Sequence, residues 1–172
     1  MLSVSEARER ILSNFQATAK ESLSLNECAN RVLAADITAP YDLPLFNNSS
    51  MDGFAIRAAD SPEADASRVT LSVVADIPAG SAPNVILAQG QAARIMTGAQ
   101  VPEGADAVIP VEDTDFSSQA AGTLAPKTVS FTKHMKPGDN VRLRGIDLHE
   151  GDIVLHKGRR LKPQDLGLLA ML

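Results

Sequence analysis

The stretch Leu43–Asp60 reads Leu-Pro-Leu-Phe-Asn-Asn-Ser-Ser-Met-Asp-Gly-Phe-Ala-Ile-Arg-Ala-Ala-Asp. Pro44 lacks an amide donor and disfavours helical backbone at the preceding leucine, so the stretch begins as an extended segment. Hydrogen-bonding side chains then occupy positions 47 to 50 and Asp52. Gly53 follows directly, and a glycine allows either a positive φ or the close approach of a ligand.

Beyond this glycine the residues alternate as in a strand. One predicted face carries Phe54, Ile56 and Ala58, and the other carries Ala55 and Arg57. A polar loop that ends at Asp-Gly and leads into a strand can present its carboxylate at the rim of a sheet. A solvated turn without further function is the alternative, and the residues alone leave both open.

Composition narrows the classes of function. The chain has 172 residues, a net charge of −5 and an aromatic content of 3%, which argues against base stacking on nucleic acid and against general polyanion binding. A single cysteine excludes an internal disulfide and a multi-cysteine zinc site. No apolar run approaches the roughly 20 residues of a membrane span, and no secretory segment opens the chain, so we expect a cytoplasmic protein.

Helical signals cluster at the two ends of the chain. A capping box at Ser3 and Glu6 predicts a first helix, and a second box at Ser24 and Glu27 predicts another, with Cys28 in its apolar face as a core residue. Near the other end, a proline at position 163 precedes an apolar helical face. That face continues to the last residue, 172, which suggests a piece of a longer protein.

Strand patterns separated by Gly and Pro turns fill the middle of the chain. We predict strands at 69–74, 92–96, 107–111, 127–132, 141–145 and 153–155. The third and fourth are expected to form a hairpin whose tip covers 117–125. The predicted fold is therefore mixed α+β and mainly β, with short helices at both ends and a β-rich domain inserted into an elongated mixed domain.

Three groups of residues could carry chemistry. Ser49, Ser50 and Asp52 offer the hydroxyl and carboxylate oxygens that a hard cation such as Mg²⁺ prefers. Thr97, beside Gly98 at a predicted strand end, can offer its hydroxyl and backbone N–H to an oxyanion, although a simple β-turn explains the pattern as well. The third group is a pair of arginines two positions apart on a predicted strand, which could bind a phosphate, pair with a carboxylate or simply face solvent; they are Arg142 and Arg144.

Long collinear motifs resemble the molybdopterin molybdenumtransferase family, which includes MoeA and the gephyrin E domain. Asn48-Ser-Ser-Met-Asp-Gly-Phe-Ala-Ile-Arg resembles that family's Asn-Ser-Ala-Met-Asp-Gly-Tyr-Ala-Val-Arg segment. Arg94-Ile-Met-Thr-Gly-Ala, with Val101-Pro-Glu-Gly-Ala-Asp-Ala-Val, is similar to its next block. Lys136-Pro-Gly-Asp-Asn-Val-Arg-Leu-Arg-Gly-Ile-Asp and Gly158-Arg-Arg-Leu-Lys-Pro resemble a third.

The resemblance implies the N-terminal region of an enzyme that inserts molybdate into adenylylated molybdopterin and releases AMP, with a divalent cation such as Mg²⁺. It implies a base domain of residues 1–43 and 140–172 that forms a homodimer, and an inserted β domain of residues 44–139. The active cleft would be completed by the pterin-binding domain of the second subunit, so this region alone is expected to be inactive. No nucleic-acid or membrane partner is implied.

Carried over by motif, Asp52 is a catalytic and metal-binding residue and Thr97 a catalytic residue. Four further positions are expected to bind substrate or other anions, or to form interface contacts: Ser49, Ser50, Arg142 and Arg144.

Some positions depart from the family pattern. Asn47 stands where the family often has Asp, and Phe54 where it has Tyr, while Leu143 interrupts a run of arginines and Ile146 replaces a Glu. The departures at Asn47 and Ile146 favour one alternative, a non-catalytic dimerisation or scaffolding module. A free-standing anion-binding β domain is a second alternative.

Overall fold

The computed structural model describes residues 2–16, 18–63, 67–116 and 123–172. Residue contacts divide the chain into two units. The terminal unit comprises Met1–Thr38 and Ile153–Leu172, and the β-rich unit comprises Ala39–Asp152. The predicted domain organisation, with its boundaries at 43/44 and 139/140, stays a prediction.

The described residues form two α-helices and nine strands, in agreement with the predicted mixed, mainly β fold. The helices are α1 (Val4–Leu12) and α2 (Pro163–Leu169), and 3-10 turns span Leu25–Glu27, Ala58–Asp60 and Val111–Asp113. The strands are β1 (Ile37–Thr38), β2 (Asn48–Ser49), β3 (Gly53–Ile56), β4 (Val69–Ile77), β5 (Gln91–Ile95), β6 (Ala107–Pro110), β7 (Thr128–Phe131), β8 (Val141–Arg142) and β9 (Ile153–Leu155).

Five strands of the β-rich unit form its main sheet, in the order β6-β3-β5-β4-β7. β4 and β5 run parallel, whereas the other neighbouring strands are antiparallel. All four residues of β3 are buried, because β5 and β6 flank it and apolar clusters cover both faces of the sheet. Phe54 and Ile56 enter one cluster and Ala55 enters the other, which confirms the predicted alternation of faces.

Gly53 needs no positive φ, contrary to one of the two reasons that we gave for a glycine there. A Cβ at this position would lie 2.0 Å from the carbonyl oxygen of Ile109, its close neighbour on β6. The glycine therefore permits the close approach of another strand rather than of a ligand.

Three local predictions were wrong. The second capping box forms, but it opens only a 3-10 turn, because Asn30 adopts a φ of +66° and the chain turns away. Cys28 is accordingly half-buried rather than a core residue. β7 forms its ladder with β4, at the edge of the sheet opposite β6, so the predicted ladder between β6 and β7 does not form. Next to the expected tip, an isolated antiparallel bridge joins Thr114 to Phe131, and most of the tip itself lies outside the described residues.

The terminal unit contains little buried surface. β1 pairs with β9, and the backbone N–H of Asn30 donates to the carbonyl of Leu161. Among its described residues only Leu155, Leu161 and Asp165 are buried, and α1 contributes none. No helix in the described part of the chain is long and apolar enough to cross a membrane.

Candidate active site

A short strand, β2, joins the segments that carry the predicted site residues. Asn48 pairs with Arg142 of β8, and Ser49 pairs with Val141. On its other side, the backbone N–H of Ser49 donates to the carbonyl of Ala99, in the turn after β5. All of these residues belong to the β-rich unit. The fold thus brings together segments that lie about 50 residues apart in the sequence.

Asp52 lies at the end of the loop that follows β2, directly before β3. Its Oδ1 atom accepts two hydrogen bonds from Thr97, one from the backbone N–H at 2.7 Å and one from the hydroxyl at 2.7 Å. The backbone carbonyl of Asp52 accepts from Val111. Hydrogen bonds therefore hold both the side-chain carboxylate and the backbone carbonyl of Asp52, although the residue is exposed.

The hydrogen bonds from Thr97 also affect the pKa of Asp52. The backbone N–H of Thr97, and then its hydroxyl, hold the pKa of the Asp52 carboxyl below its ordinary value, against a smaller opposing effect of burial. Hydrogen bonds to the ionised form favour that form, so Asp52 is a carboxylate at neutral pH. Its second oxygen, Oδ2, accepts no hydrogen bond from the described residues.

Thr97 does not present its donors in the way that we expected from the sequence. We predicted a free hydroxyl and a free N–H for an oxyanion, but both donate to Asp52. The next N–H, of Gly98, donates to the carbonyl of Ser49 at 2.8 Å. Thr97 therefore orients the carboxylate, and its own catalytic role stays a prediction.

The two serines of the loop differ in exposure. Ser49 is 1% exposed, and its hydroxyl donates to the carbonyl of Met51 at 2.5 Å and accepts from the N–H of Met51. Ser50 is exposed, and both its backbone N–H and its hydroxyl donate to the carbonyl of Asn140, each at 3.0 Å. Ser49 shapes the loop, while direct contact of either serine with substrate stays a prediction.

The two arginines each pair with a carboxylate of the same unit. Arg142 pairs with Asp147, which raises the pKa of Arg142 above its ordinary value. Arg144 donates from Nε to Asp42 at 2.6 Å. The predicted shared face does not exist, because β8 ends at Arg142 and a turn follows.

Neither arginine is buried by its ion pair, since the side chains of Arg142 and Arg144 are 49% and 61% exposed. Exposed ion pairs contribute little to stability and can exchange partners. Binding of an anion by these arginines stays a prediction.

A divalent cation could bind at Asp52 if substrate oxygens and water supplied its other ligands. Within residues 2–16, 18–63, 67–116 and 123–172, no group of three or more His, Cys, Asp or Glu could hold a metal ion. Mg²⁺ in phosphate-transfer sites is commonly held by one or two carboxylates together with substrate oxygens and water. An ionised Asp52 with an unbonded oxygen matches that limited donor set.

Sequence reasoning missed two residues that build the site. Asn140 holds Ser50, and Asp42 accepts from Arg144 and from the backbone N–H of Glu150 at 2.9 Å. The Glu150 hydrogen bond, followed by that of Arg144, holds the pKa of Asp42 below its ordinary value. A signal for Asn140 existed, because an Asn after Pro-Gly-Asp often adopts left-handed backbone in a turn. Nothing local marked Asp42, whose partners lie about 100 positions away.

Comparison with known proteins identifies the family of this chain. The family described as "MoeA N-terminal region (domain I and II)" matches residues 2–172. The chain is 41% identical over 170 residues to a molybdopterin molybdenumtransferase of Staphylococcus epidermidis, covering 98% of this chain and 39% of that protein. It is 39% identical over 173 residues to one from Haemophilus influenzae, covering 100% of this chain and 40% of that protein.

Solved structures agree with the sequence comparison. A molybdopterin biosynthesis MoeA protein from Pyrococcus horikoshii superimposes with a TM-score of 0.80 and 34% identity, covering 94% of this chain and 40% of that one. The chain thus spans about two fifths of the length of the relatives that it matches. Together with the whole-chain family match, these similarities show that the chain belongs to the MoeA N-terminal region family.

Proposed function

We propose that the full-length protein inserts molybdate into adenylylated molybdopterin with release of AMP, and that this chain supplies one wall of the active cleft. The observation that carries the proposal is the Asp52 carboxylate. Thr97 favours its ionised form and orients it through Oδ1, and Oδ2 accepts no hydrogen bond from the described residues. The names of the relatives support the reaction class.

The chemistry explains why such a carboxylate is useful. Molybdate and the substrate's phosphates are anions, so they repel one another and repel Asp52. A Mg²⁺ ion bound at Oδ2 would neutralise this charge and link the protein to substrate oxygens. Asp52 holds its position through Thr97, and the buried Ser49 keeps the preceding loop in shape.

Arg142 and Arg144 are proposed to offset negative charge at the edge of the cleft. Their ion pairs are exposed, so an arriving phosphate or molybdate can compete for either guanidinium at modest cost.

A homodimer is the proposed assembly. The outer surface of α1 and the residues after it exposes large apolar side chains that nothing in the described chain covers: Val4 at 87%, Ile11 at 61%, Leu12 at 56% and Phe15 at 72%. Several large apolar side chains exposed close together in the sequence are typical of interaction sites. We propose a second copy of the chain as the partner, with the pterin-binding domain of that second subunit completing the cleft and the cytoplasm as the compartment.

The test is insertion by the full-length enzyme carrying Asp52→Asn, measured as molybdate-dependent release of AMP. Loss of the carboxylate that would hold the charge-neutralising cation is expected to lower the rate at least about 100-fold. Glu63→Gln removes the same charge from an exposed side chain outside the site and should leave the rate unchanged. A rate near that of the unmodified enzyme in Asp52→Asn would overturn the proposal.

A further inference from the structure

Asn140 connects the edge of the main sheet to the loop that carries Asp52. It ends the turn 136–140, where its φ is +57°. This left-handed conformation is open to Asn and Gly but disfavoured for most other residues. Its side-chain Nδ2 donates to the carbonyl of Val108 on β6 at 2.8 Å.

The turn is fixed to β6 at more than one point. The N–H of Val108 donates to the carbonyl of Asp139 at 2.9 Å, and the N–H of Gly138 donates to the carbonyl of Asp106 at 2.7 Å. β6 lies at an edge of the sheet, so this turn covers backbone groups that would otherwise be unpaired. The side chain of Asn140 completes that attachment.

The backbone carbonyl of Asn140 contacts the loop that carries Asp52. It accepts both the backbone N–H and the hydroxyl of Ser50, each at 3.0 Å. Ser50 lies two residues before Asp52. Other anchors of this loop come from the turn after β5 and from the N–H of Val111, which donates to the Asp52 carbonyl. Asn140 adds an anchor at Ser50, through a single carbonyl whose direction depends on its backbone and on its side-chain hydrogen bond.

From this geometry we propose that Asn140 is a positioning residue that aims the Asp52 carboxylate by fixing Ser50. The proposal rests on the proposed function, because it assigns Asn140 to the step that Asp52 serves. Its side chain is not expected to touch substrate.

The test uses the full-length enzyme carrying Asn140→Gly, which keeps the left-handed backbone accessible but removes the donor to Val108. Hydrogen exchange of the Ser50 amide is expected to become about five- to tenfold faster, as for the loss of one hydrogen bond. The kcat for insertion should fall about tenfold while the KM for molybdate changes less. Asn140→Asp, which keeps the shape but lacks the donor at neutral pH, should do the same and serves if the glycine variant folds poorly.

Two controls separate positioning from a general structural role. Asn30→Gly makes the same change at a left-handed Asn of the terminal unit and should leave kcat unchanged. Ser50→Ala removes the hydroxyl bond to Asn140 but keeps the backbone one, so it should lower kcat less. The double variant with Asn140→Gly should lose less than the product of the two single losses, because both substitutions act on the same contact.

Three results would overturn the proposal: unchanged exchange at Ser50, faster exchange with unchanged kcat, or multiplicative losses in the double variant. Failure of the proposed function is recognised separately, with Asn140 intact, as full insertion activity in Asp52→Asn.

Discussion

The two units of this chain differ in how much of their apolar surface they bury. The β-rich unit buries both faces of β3 inside its own sheet and clusters, so it stabilises itself. The terminal unit buries three of its described residues and leaves the apolar side of α1 exposed. The site lies in the self-sufficient unit, where a carboxylate can be held in place. The exposed surface lies in the other, which suits association with a partner.

The largest expected effect comes from truncating equivalent isoleucines in the two units. Ile56 is fully buried and Ile11 is 61% exposed. Ile56→Ala should lower the free energy of unfolding by about 2–5 kcal/mol, since it leaves a cavity. Ile11→Ala should change it by less than about 0.5 kcal/mol in dilute monomer but should weaken self-association.

Urea unfolding at low concentration and sedimentation at high concentration measure these two effects. Equal destabilisation by both substitutions would show that the terminal unit has a core of its own, which would contradict the difference between the two units. Unchanged association in Ile11→Ala would count against α1 as the dimer surface.

A pair of glycines gives the next largest contrast. Gly53→Ala would place a Cβ 2.0 Å from the Ile109 carbonyl, and the resulting shift of β3 against β6 should destabilise the β-rich unit by about 1–3 kcal/mol. Gly167 lies within α2 with nothing near its added Cβ. Gly167→Ala should therefore stabilise the terminal unit by about 0.5–1 kcal/mol. The two midpoints in urea should move in opposite directions, and a shift in the same direction would contradict the packing described here.

The smallest expected effect concerns the charge of Asp52. Thr97→Val removes the hydroxyl donor but keeps the backbone N–H, so the pKa of Asp52 should rise part of the way toward its ordinary value. A carboxyl whose folded-state pKa is depressed contributes stability above its unfolded pKa, near 3.9, and loses that contribution as pH falls through the folded value. In Thr97→Val this contribution should be smaller, and its loss should be complete at a higher pH than in the unmodified protein.

Carbon NMR titration of the Asp52 carboxyl measures the shift directly. Thr38→Val, on β1 of the terminal unit, is the control and should leave the pKa of Asp52 unchanged. An unmoved pKa in Thr97→Val would mean that the hydroxyl is not a donor to Asp52 in solution.

The sequence was sufficient where the determining interactions were local or repeated. The alternation from Phe54 to Ile56 predicted the strand and its two faces, and the capping box at Ser3 predicted α1. The motifs around Asp52 and Thr97 indicated both residues of the central contact. Each of these signals lies within a few positions of the structure that it predicts.

The missed features depend on contacts between distant parts of the chain. Which strand β7 joins depends on pairing across more than 50 positions, and the periodicity of either strand fits several partners. The second capping box was real, but the backbone of Asn30 ended the helix after one turn. The donors of Thr97 looked available only because their acceptor, Asp52, lies 45 positions earlier.

Binding of a spin-active cation tests most directly the proposal that Asp52 holds a divalent metal ion. Mn²⁺ affinity of the full-length enzyme, with adenylylated molybdopterin bound, can be measured by electron paramagnetic resonance for the unmodified protein, Asp52→Asn and Glu63→Gln. Mn²⁺ binding is expected to weaken at least about tenfold in Asp52→Asn alone, because one charged ligand is lost. Equal affinity in all three proteins would contradict it.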